Sequence, residues 1–324
     1  MPAACDPICE SVLVFAHMAA VPHLAEPGPI SGMSMAELRD ISLYRIMRSL
    51  PVSLVSRIGA SLGQSLGRRA HPEAAARAAA TIRLLRPDLA RDPHTLEAAQ
   101  TRLWANVGRV YAEFCVLDKI VRERRASISD PGTLDAVLAD GRPVIVAFAH
   151  LGNWETITGQ IVDRAPGRLA ALANPLPRNR VQAHIATLQR GQQGFTVMTI
   201  DGNVWRRAMR HVEQPGGVLM VAADEQVDGR VSAPSFGRAL DSRVNLAKIV
   251  RMAARTGAII LPMYSERLGG ARFATQVLPP LEFPRKLKLS PEEQLQRVAR
   301  LDALFAPVVL RLIDQWFGLI EYRL

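Results

Sequence analysis

At 324 residues, 48% of them hydrophobic and 22% charged, the chain has enough apolar material for a large core, which excludes intrinsic disorder. The 40 Lys and Arg residues against 30 Asp and Glu give a formal net charge of +10, which suits anionic lipid headgroups or an acidic partner protein; without zinc-finger spacing, an aromatic RNA-binding motif or a long basic arm, nucleic acid is not an expected partner. Three cysteines, Cys5, Cys9 and Cys115, make neither a disulfide framework nor a metal-ligand set and suit a reducing compartment.

Residues 1–40 are expected to form a poorly ordered extension. Their apolar run 12–16 follows Asp6 and Glu10 where a signal peptide carries positive charge, and it is too short to span a bilayer. Pro27-Gly28-Pro29 breaks the chain, and Met33 and Met35 are alternative starts. Residues 41–125 read as a helical lead-in. Ile46, Leu50, Leu54, Ile58, Leu62 and Leu66 fall four apart, with Arg45, Arg48 and Arg57 among them, and Pro51 predicts a kink or a break into two helices. Such a basic amphipathic segment lies in a membrane interface or packs on its own domain, and the pattern leaves both open. Gly59, Gly63 and Gly67 are also four apart, which permits close approach of another helix or of lipid. A break at Arg86-Pro87-Asp88 precedes a helix start at Asp92-Pro93, whose apolar face runs from Leu96 through Leu103 and Val107 to Phe114. Glu113 beside that face reads as a surface or ion-pair residue, and Cys115 as core.

The centre of the chain is Pro143 to Glu155. Val144 to Ala149 is apolar and rich in β-branched residues, the pattern of a strand buried on both faces; His150, Gly152, Asn153 and Glu155 then change its character. Five residues apart, His150 and Glu155 meet neither on a helix nor on a straight strand. A strand end, a tight turn through Gly152 and Asn153, and a helix start would let the carboxylate fold back and fix the imidazole tautomer, leaving the other nitrogen as a base. The alternative is a strand-terminal His bonded to backbone and a Glu at a helix N-terminus.

Beyond Glu155 the segments 168–172, 195–200, 217–222, 258–264 and 273–278 read as strands, and 180–190, 204–212 and 242–255 as helices. This alternation predicts an α/β fold over 126–324, a mixed and largely parallel sheet flanked by helices, with sites at the carboxyl ends of strands. Ser290-Pro291-Glu292-Glu293 starts a last long helix, bent at Pro307.

His150-Leu151-Gly152-Asn153-Trp154-Glu155 after an apolar strand closely resembles the signature of the bacterial lipid A late acyltransferases (lauroyl and myristoyl acyltransferases), a branch of the H-x4-D/E lysophospholipid acyltransferase superfamily. Ala223-Asp224-Glu225-Gln226, Ser235-Phe236-Gly237, the stretch 245–258, Asp314-Gln315-Trp316 and Tyr322-Arg323 resemble further blocks of the family, so the likeness covers roughly 41–324. One place departs from it: Ala173-Asn174-Pro175 stands where the family carries Tyr-Arg-Pro, and Arg178 or Arg180 would have to replace that charge.

The resemblance implies an N-terminal helical membrane-associating region before the α/β acyltransferase domain. It implies transfer of a fatty acyl chain from an acyl-carrier-protein thioester to a hydroxyl of an anionic lipid A precursor, at the cytoplasmic face of the inner membrane, by a peripheral or monotopic protein. His150 would be the general base, Glu155 its orienting partner, and backbone N–H groups of 151–153 the oxyanion donors. Asn153, Asn174, Arg178, Arg180, Asp224 and Arg243 are the candidate substrate contacts. No cofactor and no metal are expected, because a thioester is already activated. The alternatives are a lysophospholipid, glycolipid or aminolipid acceptor, hydrolysis in place of transfer, and a non-catalytic peripheral protein that binds lipid.

Overall fold

The computed structural model describes residues 34–173, 180–227, 230–240, 242–321 and 323. Within them the strands are β1 (Ala126–Ile128), β2 (Val144–Phe148), β3 (Leu169–Ala173), β4 (Thr196–Thr199), β5 (Val218–Ala222), β6 (Glu225–Val227), β7 (Arg230–Ala233), β8 (Ile259–Gly269) and β9 (Arg272–Val277). Seven form one sheet in the order β1-β9-β8-β2-β5-β3-β4, and β6 pairs with β7 in a separate hairpin. Every neighbouring pair in the large sheet is parallel except β8 with β9. The α/β class and the mixed, mostly parallel sheet are those the alternation predicts.

β2 lies in the middle because its sequence suits neither face to water. Val144, Val146 and Phe148 point into one core with Leu134, Ile157 and Ile161. Ile145 and Ala147 point into the other, against helices Asn245–Thr256 and Pro291–Arg311. Parallel pairing keeps strand ends together: Phe148 stands opposite Ala222 of β5 and Met263 of β8. Three expectations need adjustment. β1 is too short for periodicity to reveal, the polar β6-β7 hairpin carries no alternating pattern, and β8 runs past 264 to pair with β9 as a long ribbon.

The lead-in is helical, as expected. Helix Met35–Ser49 starts earlier than the expected boundary at 41, because Ser34 and Glu37 form a capping box; residues 1–33 lie outside the described part. Pro51 separates it from helix Val52–Leu62, which continues through a π turn, Gly63–Gly67. The second segment lies against helix Pro93–Phe114 by its glycine face: a Cβ on Gly63 would lie 2.0 Å from the Trp104 carbonyl oxygen, and one on Gly108 would lie 2.1 Å from that of Gly59. The four-residue glycine spacing therefore serves helix–helix contact. The Leu/Ile stripe is divided: Leu50 and Ile58 pack partly against the core, while Ile46, Leu62 and Leu66 are exposed at 59%, 47% and 58%. Among the described residues no helix is long and apolar enough to cross a membrane.

Gly63→Ala should force these helices apart and lower stability by about 1–3 kcal/mol, the range for overpacking. Urea denaturation of the variant checks this; an unchanged midpoint would mean the crossing relaxes freely.

Candidate functional site

β2 and β5 end level with one another, so the residues two positions further, His150 and Asp224, come side by side at the carboxyl edge of the sheet. Asp224 is buried and is bonded from three directions. The His150 backbone N–H reaches Oδ1 and Oδ2 at 3.1 and 3.0 Å, the His150 ring Nδ1 lies 2.9 Å from Oδ1, and Trp316 Nε1 donates to Oδ2 at 2.8 Å. An ionised carboxylate only accepts, so Nδ1 carries the ring proton and Nε2 is left as the basic nitrogen. Phe148 and Trp154 pack edge-on against the imidazole, with centroids 5.2 and 4.8 Å away, which fixes its plane.

Burial pushes the His150 imidazole down, but the facing Asp224 charge and hydrogen bond, with Glu321 and Glu155 behind, reverse the effect and leave it above its ordinary value. Burial pushes the Asp224 carboxyl up, while the His150 charge, its hydrogen bonds and that from Trp316 bring it below the usual range. Both shifts stabilise one arrangement, a carboxylate facing an imidazole able to hold a positive charge.

The expected partnership of His150 with Glu155 is therefore corrected: Asp224 takes that position. Glu155 opens helix Glu155–Val162, and its carboxylate pairs with both Nη2 and Nε of Arg190 from helix Arg180–Gly191. A guanidinium fork matches a carboxylate in two places, which one imidazole N–H does not. Glu155 stays in the same cavity wall as His150. Asn153 is likewise corrected from substrate contact to anchor: it is buried, and its Nδ2 donates at 3.0 Å to Glu113. Glu113 is itself held by Arg267 and by Ser56 Oγ, which makes it the ion-pair residue expected rather than a surface one. Two of the three expected oxyanion donors are also engaged, since the Leu151 N–H donates to Ala149 O and the Gly152 N–H to Gln315 O. Arg243 is exposed and does not line the cavity. Asn174 and Arg178 lie outside the described residues, as does the side chain of Arg180.

His150 opens onto a cavity of about 410 Å³. Its lining mixes apolar side chains, among them Val110, Phe114, Phe148, Val197, Ile200 and Met220, with the charged Glu155, Arg190, Asp224, Glu225 and Glu321, and the Arg190 guanidinium lies 5.6 Å from the Phe114 ring centroid. Arg190 also has a buried nitrogen, Nη1, without a hydrogen-bond partner. A cavity that joins apolar and charged walls beside an imidazole suits a substrate with a hydrocarbon tail and a reacting polar head. Among the described residues no group of His, Cys, Asp and Glu is placed to hold a metal ion.

The sequence reading missed Arg190, Trp316, Glu225 and Glu321 as site residues. Trp316 had a signal in the block Asp314-Gln315-Trp316: the segment Gln315-Trp316-Phe317 straps the turn after β2, with Leu151 bridged to Trp316 and the Phe317 N–H donating to His150 O at 2.9 Å. Arg190 had none, because no periodicity reveals which face of its helix meets Glu155.

A family model described as bacterial lipid A biosynthesis acyltransferase matches residues 40–321. No curated protein matches the chain to a significant degree.

A general base must be neutral, so transferase activity should rise with pH through a value above the ordinary imidazole pKa of about 6.5. Asp224→Asn should lower kcat by about 10²–10⁴ and move the acid limb of kcat/KM to lower pH, because burial then acts on His150 without an opposing charge. Glu155→Gln should leave that limb nearly in place. A pH–rate profile of both variants distinguishes them, and equal shifts would count against Asp224 as the partner.

Proposed function

From a chain that belongs to the bacterial lipid A biosynthesis acyltransferase family, and is therefore an acyltransferase of lipid A synthesis, we infer O-acyl transfer from an acyl-carrier-protein thioester to a hydroxyl of a lipid A precursor. The observation that carries the chemistry is the His150–Asp224 pair in the wall of a cavity with many apolar lining residues. His150 Nε2 takes the proton of the acceptor hydroxyl as its oxygen attacks the thioester carbonyl. Negative charge collects on the carbonyl oxygen, for which the free Nη1 of Arg190 is an available donor. Collapse breaks the carbon–sulfur bond, and the departing thiolate recovers the proton from the imidazolium, so the products are the ester and a free carrier thiol. Asp224 offsets the transient imidazolium charge and holds the tautomer throughout.

The same reading accounts for the mixed lining of the cavity. The acyl chain lies along Val110, Phe114, Val197 and Met220, while Glu225 and Glu321 accept hydrogen bonds from hydroxyls of the acceptor headgroup. The outward stripe of Ile46, Leu62 and Leu66, with exposed Arg45, Arg57 and Arg69 around it, supports a peripheral seat on an anionic membrane surface. On this reading the protein works at the cytoplasmic face of the inner membrane, where carrier protein and lipid meet. Asn174 in place of the family's Arg favours, as a second reading, a different lipid acceptor: a glycolipid, lysophospholipid or aminolipid.

Mass spectrometry of lipid A and total lipids from cells with and without the protein tests the acceptor. Lipid A should lose one acyl chain in its absence, and His150→Ala should not restore it; unchanged lipid A beside an altered phospholipid or aminolipid pool would transfer the assignment to the second reading. Ala171→Phe, which fills part of the cavity wall, should shift the preferred donor to shorter acyl chains, measured by competition between thioesters of different length.

A further inference from the structure

A second concavity, about 590 Å³, lies between helix Val204–Val212, helix Asn245–Thr256 and the segment 286–289. Of its eleven lining residues five are cations and none is acidic: Lys248, Arg251, Arg255, Lys286 and Lys288. Lys248, Arg251 and Arg255 fall three and four apart on one helix, which aligns them along one face. Among the described residues no carboxylate pairs with Arg251, Arg255 or Lys288, so their charges are free for a partner. Its apolar residues include Trp205 and Met209, half-buried, Met252, buried, and Leu287, 80% exposed. A concavity that combines such residues with a cationic rim complements the convex side of an amphipathic acidic helix.

The groove is joined to the catalytic cavity by one shared wall. Lys248 Nζ sits 5.0 Å from the Trp205 ring centroid on the groove side and 3.8 Å from Glu225 Oε1 on the other. Glu225 lines the catalytic cavity and accepts from the Asn245 backbone N–H at the start of the same helix. A partner seated in the groove is thus separated from the cavity that holds His150 by the Lys248–Glu225 pair.

We propose that this groove is the docking surface for an acidic carrier protein, which presents its thioester to His150 across the Glu225–Lys248 wall. The assignment rests on the reading that the donor is a carrier-bound thioester. Rim charges act on encounter and affinity rather than on the chemical step. The test is the double variant Arg251→Glu/Arg255→Glu, with Lys288→Glu as an independent rim substitution; all three positions are exposed. Binding of fluorescently labelled acyl carrier protein is measured by anisotropy. Turnover is measured with the carrier thioester and with the same acyl group on pantetheine, which lacks the protein. The expected result is at least a tenfold loss of carrier affinity and a matching rise in KM, with kcat and pantetheine-thioester turnover unchanged and a shallower salt dependence of binding than in the parent. Unchanged affinity and KM would overturn the proposal, as would loss of binding to phosphatidylglycerol vesicles with carrier affinity intact, which would make the groove a membrane face. Groove-dependent carrier binding without consumption of the thioester would instead overturn the transfer reading and leave the docking surface standing.

Discussion

The site depends on one buried carboxylate being met by three donors. Asp224 alone would be costly to keep ionised in the interior, and its cost is offset only while the His150 backbone N–H, the imidazole Nδ1 and the Trp316 indole all point at it. These donors come from two distant parts of the chain, so the interaction couples the end of β2, the end of β5 and the strap at 315–317. Losing one donor would leave the carboxylate under-satisfied and release the orientation of the base. Fold and reactivity thus share a single constraint.

The turn between His150 and Glu155 is pinned on its other sides as well. Gly152, at φ +58, gives its N–H to Gln315 O, and a Cβ there would lie 2.5 Å from Ser265 O, so glycine is required by both conformation and space. Asn153 ties the turn to Glu113, whose charge is neutralised by Arg267 inside the protein. A buried pair of this kind adds little net stability compared with apolar packing, but breaking one side is expensive, which suits a support that must hold one geometry. The helical lead-in is therefore part of the scaffold of the site: helix Pro93–Phe114 supplies Glu113 as well as Val110 and Phe114 of the cavity wall.

Two outer surfaces of positive charge differ in shape. On the N-terminal helices Ile46, Leu62 and Leu66 are exposed, as are Arg45, Arg57 and Arg69. The groove at helix Asn245–Thr256 is concave, with cations on its rim. Surfaces of one charge sign but different shape sort partners by shape once electrostatic attraction has brought them close.

By itself, the sequence determined the α/β class, the central buried strand, the helix breaks at Pro51 and Pro87 and a histidine at a strand end, because periodicity, proline and apolar runs act over a few residues. The hexapeptide from His150 to Glu155 also made the family legible. Only the tertiary structure decided which acid meets the imidazole. Asp224 lies 74 residues away and reaches His150 through strand register, while the near neighbour Glu155 turns to Arg190 on another helix. The Leu/Ile stripe gave a further lesson: Ile58 stays partly packed against the core, while Leu62 and Leu66 are exposed where the glycines four apart, by permitting closer contact, take the interior. Local pattern fixes which side chains share a side, but long-range packing selects which side is buried and which charges come together.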